Sequence, residues 1–222
     1  MPQPIQVLLE VGRRRVFASA LDWPGWCRSA KTDEAALDAL AEYAPRYAPV
    51  AATARVRFPS PSRLPGFDVV ERVAGDATTD FGAPGKAGAA DAAPLTATHA
   101  RRLSRLVAAA WEVFDEVAAG APAALRKGPR GGGRDRDKMV EHVLGAEVAY
   151  ARKIGIRMRQ PAIDDHDGVA SLRSAIVDTI AAARSGTPAA EKGWAPRYAA
   201  RRIAWHVLDH AWEIEDRSVA ST

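Results

Sequence analysis

The sequence predicts an α+β chain: a small β-β-α-β-β unit with a linker over residues 1–90, then a four-helix bundle over residues 91–222. Three observations carry this. Near the N-terminus apolar residues alternate, with Ile5, Val7 and Leu9 on one side of a strand. Small and turn-forming residues fill Gly75–Ala93, where Phe81 is the single large apolar side chain. From Thr96 onward the apolar spacing changes to three and four residues and stays so through Arg217.

Ile5–Val11 and Arg15–Leu21 read as two strands joined by a Gly12-Arg13-Arg14 turn. Asp22-Trp23-Pro24-Gly25-Trp26 then ends the second strand with Pro-Gly turn chemistry. Thr32 is placed to cap a helix, with Asp33 and Glu34 in the first turn, where the helix dipole favours acids. Leu37, Leu40, Ala44 and Tyr47 extend it, giving a helix over Asp33–Arg46 whose end Pro45 and Pro49 bracket. Ala54–Phe58 and Phe67–Val73 read as two more strands around a Pro59–Pro65 turn region. In the second half, Leu103, Leu106, Ala110, Phe114 and Val117 mark a helix closed by Gly120 and Pro122. Met139, His142, Val143, Ala146 and Tyr150 mark the next, ending near Gly155. Val169, Leu172, Ile176 and Ile180 mark a third, with Asp167 as its N-cap and Gly186 as its stop. Ile203, His206, His210 and Ile214 mark the fourth, within Arg201–Arg217.

Composition excludes several classes. The 222 residues are 47% hydrophobic and 26% charged, ordinary for a globular protein. No apolar run reaches the roughly 18–20 residues of a membrane span, so no membrane partner is expected. The start MPQPIQVLLEVGRRR places its apolar run before its charges, the reverse of a signal peptide. The single cysteine, Cys27, forbids an intramolecular disulfide and fits a reducing cytoplasm. A net charge of +4 is too small to argue for a nucleic-acid partner.

The chemistry concentrates in histidines. His206 and His210 stand four residues apart, which puts both imidazoles on one helix face, one turn apart. That face is the apolar stripe, and His142 lies on the apolar stripe of the second long helix. Buried imidazoles need partners, either an acid or carbonyl for each, or one metal ion for all. Three imidazoles leave a tetrahedral ion with its fourth position open, the arrangement of a catalytic site. Zn²⁺ fits this set, and Ni²⁺ or Fe²⁺ also accept imidazole. Glu213 and Glu147 are candidates to orient an imidazole or to act as a general base, Glu213 being the catalytic candidate. Each also reads as an ordinary helix acid, Glu213 in an ion pair with Arg217. Asp209 points away from the pair by about 100° per residue. Ahead of His142, Arg126–Arg136 holds five basic residues and four glycines. There Arg130 and Arg134 are candidates to hold a carboxylate or phosphate of the substrate, the plainer reading being a solvated loop. Cys27 reads as inert packing, and Trp194, Trp205 and Trp212 as packing around the last helix.

Two resemblances extend this reading. Ala18–Leu21, the Asp22–Cys27 turn and the helix start Thr32-Asp33-Glu34-Ala35-Ala36 resemble the HicB-like antitoxin fold over about 50 residues. Residues 96–217 resemble the DinB-like family, four-helix bundles with one metal-binding histidine on the second helix and an HxxxH pair on the last. His142 in Val140-Glu141-His142-Val143-Leu144 matches the first position, and Trp205-His206-Val207-Leu208-Asp209-His210 carries the pair. Ala211 stands where members often carry a further histidine. The resemblance implies a divalent metal, Zn²⁺ or Ni²⁺, acting on a small-molecule substrate such as a low-molecular-weight thiol, by S-transfer or hydrolysis. It also implies a homodimer. The alternative is a non-catalytic binding module, in which the HicB-like unit docks a protein or nucleic-acid partner.

Overall fold

A computed structural model describes residues 3–128, 133–188 and 190–218, which form a mixed α+β chain with a four-stranded sheet followed by helices. Strands β1 (Ile5–Val11) and β2 (Val16–Ala20) make the expected hairpin, closed by Gly12 N–H donating to Arg15 O at 2.9 Å. β2 continues antiparallel into β3 (Cys27–Ala30). β4 (Phe67–Ala74) returns parallel to β1, so the order is β3-β2-β1-β4. Val70 is the extra residue of a bulge where the register shifts between Val7 and Leu8.

The elements after β3 differ from the sequence expectation. The helix expected over Asp33–Arg46 is two helices, α1 (Asp33–Glu42) and α2 (Ala44–Thr53), meeting at Tyr43. Thr32 caps α1 as expected, its hydroxyl accepting from Ala35 N–H. Pro45 opens α2 instead of ending a helix, because the first turn needs no N–H from it. The strand expected at Ala54–Phe58 does not form. Arg55 takes a left-handed φ of 53°, and Val56 N–H then donates to Ala51 O at 2.9 Å, a closed C-terminal turn. Phe58 instead packs its ring 4.8 Å from that of Trp23 and 5.0 Å from that of Trp26.

β1 is buried on both faces. Val7 and Leu9 join the main core, which continues through Leu40 and Tyr47 into the helices. The opposite face, with Leu8 and Glu10, is covered by the small-residue stretch after β4. That stretch holds a short helix, α3 (Ala77–Phe81), and a 3-10 turn at Ala89–Ala92. Glu10, buried, accepts from Thr79 Oγ1 at 2.5 Å and from the backbone N–H groups of Gly85 at 3.0 Å and Lys86 at 2.9 Å. A carboxylate with three donors is a satisfied buried charge, and it ties the stretch to the sheet.

Four long helices follow: α4 (Ala97–Gly120), α5 (Arg136–Lys153), α6 (His166–Ala182) and α7 (Pro196–Ser218). Asp165, not Asp167, caps α6 by accepting from Gly168 N–H at 3.0 Å. α4 is the central helix, packed on α7, α6 and α2, while α5 lies on α7 and α6. Leu103, Phe114, Met139, Ile176, Ile203 and Ile214 are fully inside. The sheet unit meets α7 at Gly25, whose φ is 92°. A Cβ there would lie 2.5 Å from Leu208 Cδ1 and 3.2 Å from the Ala204 carbonyl, so only glycine lets turn and helix approach this closely.

Candidate metal centre

The helical spacing of α7 places His206 and His210 on one face, and α5 lies across that face with His142 toward them. The ring centroids are 4.6 Å apart for His206 and His210, 5.1 Å for His142 and His206, and 5.0 Å for His142 and His210. One nitrogen from each ring lies within 4.8 Å of the other two. Ligands about 2.0–2.1 Å from a tetrahedral ion stand about 3.3–3.4 Å apart, so these separations need shorten by at most about 1.5 Å. The structure thus brings together all three histidines that the spacing singled out.

Protonation favours the same use. His206 is 8% exposed, and burial, then the charges of His210 and Arg202, pushes its pKa down to about 2. Burial, then His210 and Arg134, lowers His142 to about 4. Both rings therefore keep a lone pair free at neutral pH, the form that binds metal. His206 Nδ1 is buried and has no hydrogen-bond partner among the described residues. A buried nitrogen without a partner fits a set of ligands better than a set of structural histidines.

Glu213 is built into this face. His210 Nδ1 donates to Glu213 Oε2 at 3.0 Å, which fixes the tautomer and turns the other ring nitrogen away from the acid. Arg217 Nη1 donates to Glu213 Oε1 at 2.9 Å, so the acid makes both contacts that the sequence offered as alternatives. Its pKa is lowered, first by the His210 hydrogen bond and also by Arg217. The backbone after α4 closes over this end of α7, with Arg217 Nε donating to Arg126 O at 2.6 Å. A cleft of about 610 Å³ opens beside Glu213, walled by Arg28, Tyr43, Trp212 and Arg217.

The other candidates separate. Arg134 is exposed, yet close enough for its charge to bear on both His142 and His206. Arg130 lies outside the described residues. Glu147 is away from the histidines and is no solvated acid. It is 1% exposed and takes both Nε and Nη2 of Arg173 at 3.2 Å. Burial raises its pKa, against the pull of Arg173. Asp209 pairs with Arg28 at 3.1 Å. Cys27 is buried, accepts from Ser19 Oγ at 3.0 Å, and has its thiol pushed up to about 12 by burial, which makes it inert as a nucleophile. Trp212 stacks edge-on against Tyr43, and Trp205 against Phe17, joining α7 to the first half of the chain.

Sequence reasoning missed two neighbours of the cluster, Arg202 and Tyr150. Both were legible as spacing, since Arg202 precedes His206 by one turn and Tyr150 follows His142 by two. Comparisons with protein-family models, curated proteins and solved structures found no match to this chain.

Proposed function

We propose that this chain is a divalent-metal-dependent enzyme of the DinB-like kind, with His142, His206 and His210 as ligands of Zn²⁺ or Ni²⁺. One observation carries the reading: three imidazoles from two helices converge with a nitrogen of each within 4.8 Å of the others. A divalent ion held there supplies Lewis acidity, which favours deprotonation of a thiol or water at neutral pH. His210 is oriented for the ion by Glu213, and Arg217 keeps that carboxylate ionised and in place. Burial of His206 keeps bulk water from its ring and its lone pair unprotonated. The substrate in this reading is a small molecule, a low-molecular-weight thiol or a hydrolysable compound. Homodimer formation and a cytoplasmic setting belong to the same proposal.

Elemental mass spectrometry of untagged protein is the test. About one Zn²⁺ or Ni²⁺ per chain, lost in the His206→Ala/His210→Ala variant, supports the reading. No bound metal in either protein, even after reconstitution, overturns it and leaves the binding-module alternative.

A further inference from the structure

Arg202 stands one turn before His206 on the stripe that carries both α7 histidines. Its guanidinium carbon lies 4.7 Å from the centre of the Trp205 ring and 5.2 Å from that of Tyr150. Tyr150 in turn sets its ring edge-on to His206, with centroids 5.6 Å apart. Arg202 is only partly accessible, and its Nη1 is buried without a hydrogen-bond partner. No carboxylate pairs with it among the described residues, whereas Arg201 has Asp91 and Arg173 has Glu147. Two buried nitrogens without partners, Arg202 Nη1 and His206 Nδ1, thus lie one turn apart on the same face of α7.

A guanidinium held between two aromatic faces has little freedom to reach a distant partner, and burial strengthens what it binds. A buried donor left without an acceptor is costly, and an anionic guest would remove that cost. A planar guanidinium with free donors matches the two oxygens of a carboxylate in a forked pair.

We infer that Arg202 is the anchoring residue for a carboxylate group on the substrate, placed beside the three-histidine cluster by Tyr150 and Trp205. The inference deepens the metal-enzyme reading: it names the class of substrate, a small molecule whose carboxylate lies one helical turn from its reacting centre. Arg202 does not act on the reacting atoms in this account. It binds and positions.

Calorimetric titration with acetate, on zinc-reconstituted and on chelator-treated protein, tests this, with Arg202→Met and Arg202→Lys alongside. Arg202→Met is expected to weaken acetate binding about tenfold to a hundredfold in both forms, while zinc stoichiometry stays at the wild-type value. Arg202→Lys, which keeps the charge but not the planar fork, is expected to recover part of the loss. Equal acetate affinity in wild type and Arg202→Met overturns the inference, as does the absence of acetate binding to wild type. Tighter binding of inorganic phosphate than of acetate overturns the carboxylate assignment. Failure to take up zinc speaks against the metal reading alone, because the chelated arm still decides the role of Arg202.

Discussion

Arg201 and Arg202 are adjacent on α7 and meet opposite surroundings. Arg201 turns toward the stretch after β4 and receives Asp91, Nη2 to Oδ2 at 2.5 Å and Nε to Oδ1 at 3.2 Å. Arg202 turns toward α5, meets two aromatic rings, and among the described residues has no acid and no partner for its buried Nη1. The first is a finished pair, with donors and acceptors matched inside the protein. The second is unfinished, and it lies next to a histidine that is unfinished in the same way. Burial alone therefore does not separate scaffold from site in this molecule. Between these two arginines completeness of hydrogen bonding does, since an internal pair has nothing left to offer a ligand, although Trp111 Nε1 and Arg217 Nη2 are also buried without partners among the described residues.

The comparison can be broken or sharpened by substitution. The largest effect is expected from Asp91→Asn, which leaves the Arg201 charge buried opposite a neutral amide. Urea denaturation should show a loss of about 3–5 kcal/mol, the range for removing one partner of a buried pair. A loss under about 1 kcal/mol would mean the pair is not the fastening its geometry indicates. Glu213→Gln is expected to act on metal and hardly on the fold. Without the acid to orient His210, zinc affinity measured against a competing chelator should drop about tenfold to a hundredfold, while the urea midpoint stays near wild type.

The smallest effect is a dependence on pH in metal-free protein. His142 and His206 have folded-state pKa values near 4 and 2, below the unfolded value of 6.5. Below about pH 6.5 the unfolded chain binds protons that the folded chain refuses, so stability declines as pH falls toward 4. In His206→Gln that decline should be shallower by about one proton, measured from denaturation curves between pH 7 and 4.5. An unchanged slope would show that His206 takes up its proton in the folded state.

Much of the fold was legible where local pattern and outcome coincide. The alternation of Ile5, Val7 and Leu9 gave β1 its bounds, and the long apolar stripes placed α4 and α7 to within a few residues. The histidine cluster was legible because four-residue spacing is a statement about geometry in any helix. What was not legible depends on distant partners or on single backbone angles. β3 has four residues and no alternation of its own, and it exists because β2 offers it a partner. Arg55 ends α2 in a left-handed conformation that a glycine would have announced and an arginine does not. Asp91 sits in a run of alanines and glycines that reads as linker, and only the folded chain shows Arg201 across from it, 110 positions along. Glu147 was hidden for the same reason, its Arg173 lying on another helix.

Gly25 has a consequence for how the two halves of the chain can vary. The helix that supplies two of the three imidazoles is pressed from one side by α5 and from the other by a turn of the sheet unit that has no side chain to spare. The distance between that turn and Ala204 and Leu208 is therefore a fixed tolerance. A thicker residue at position 25 and a larger one at position 204 would each displace α7 toward α5, and the histidines lie in that gap. Drift in the sheet is thus transmitted to the spacing of the imidazoles, so changes on the two sides must be matched for the three rings to keep their separations.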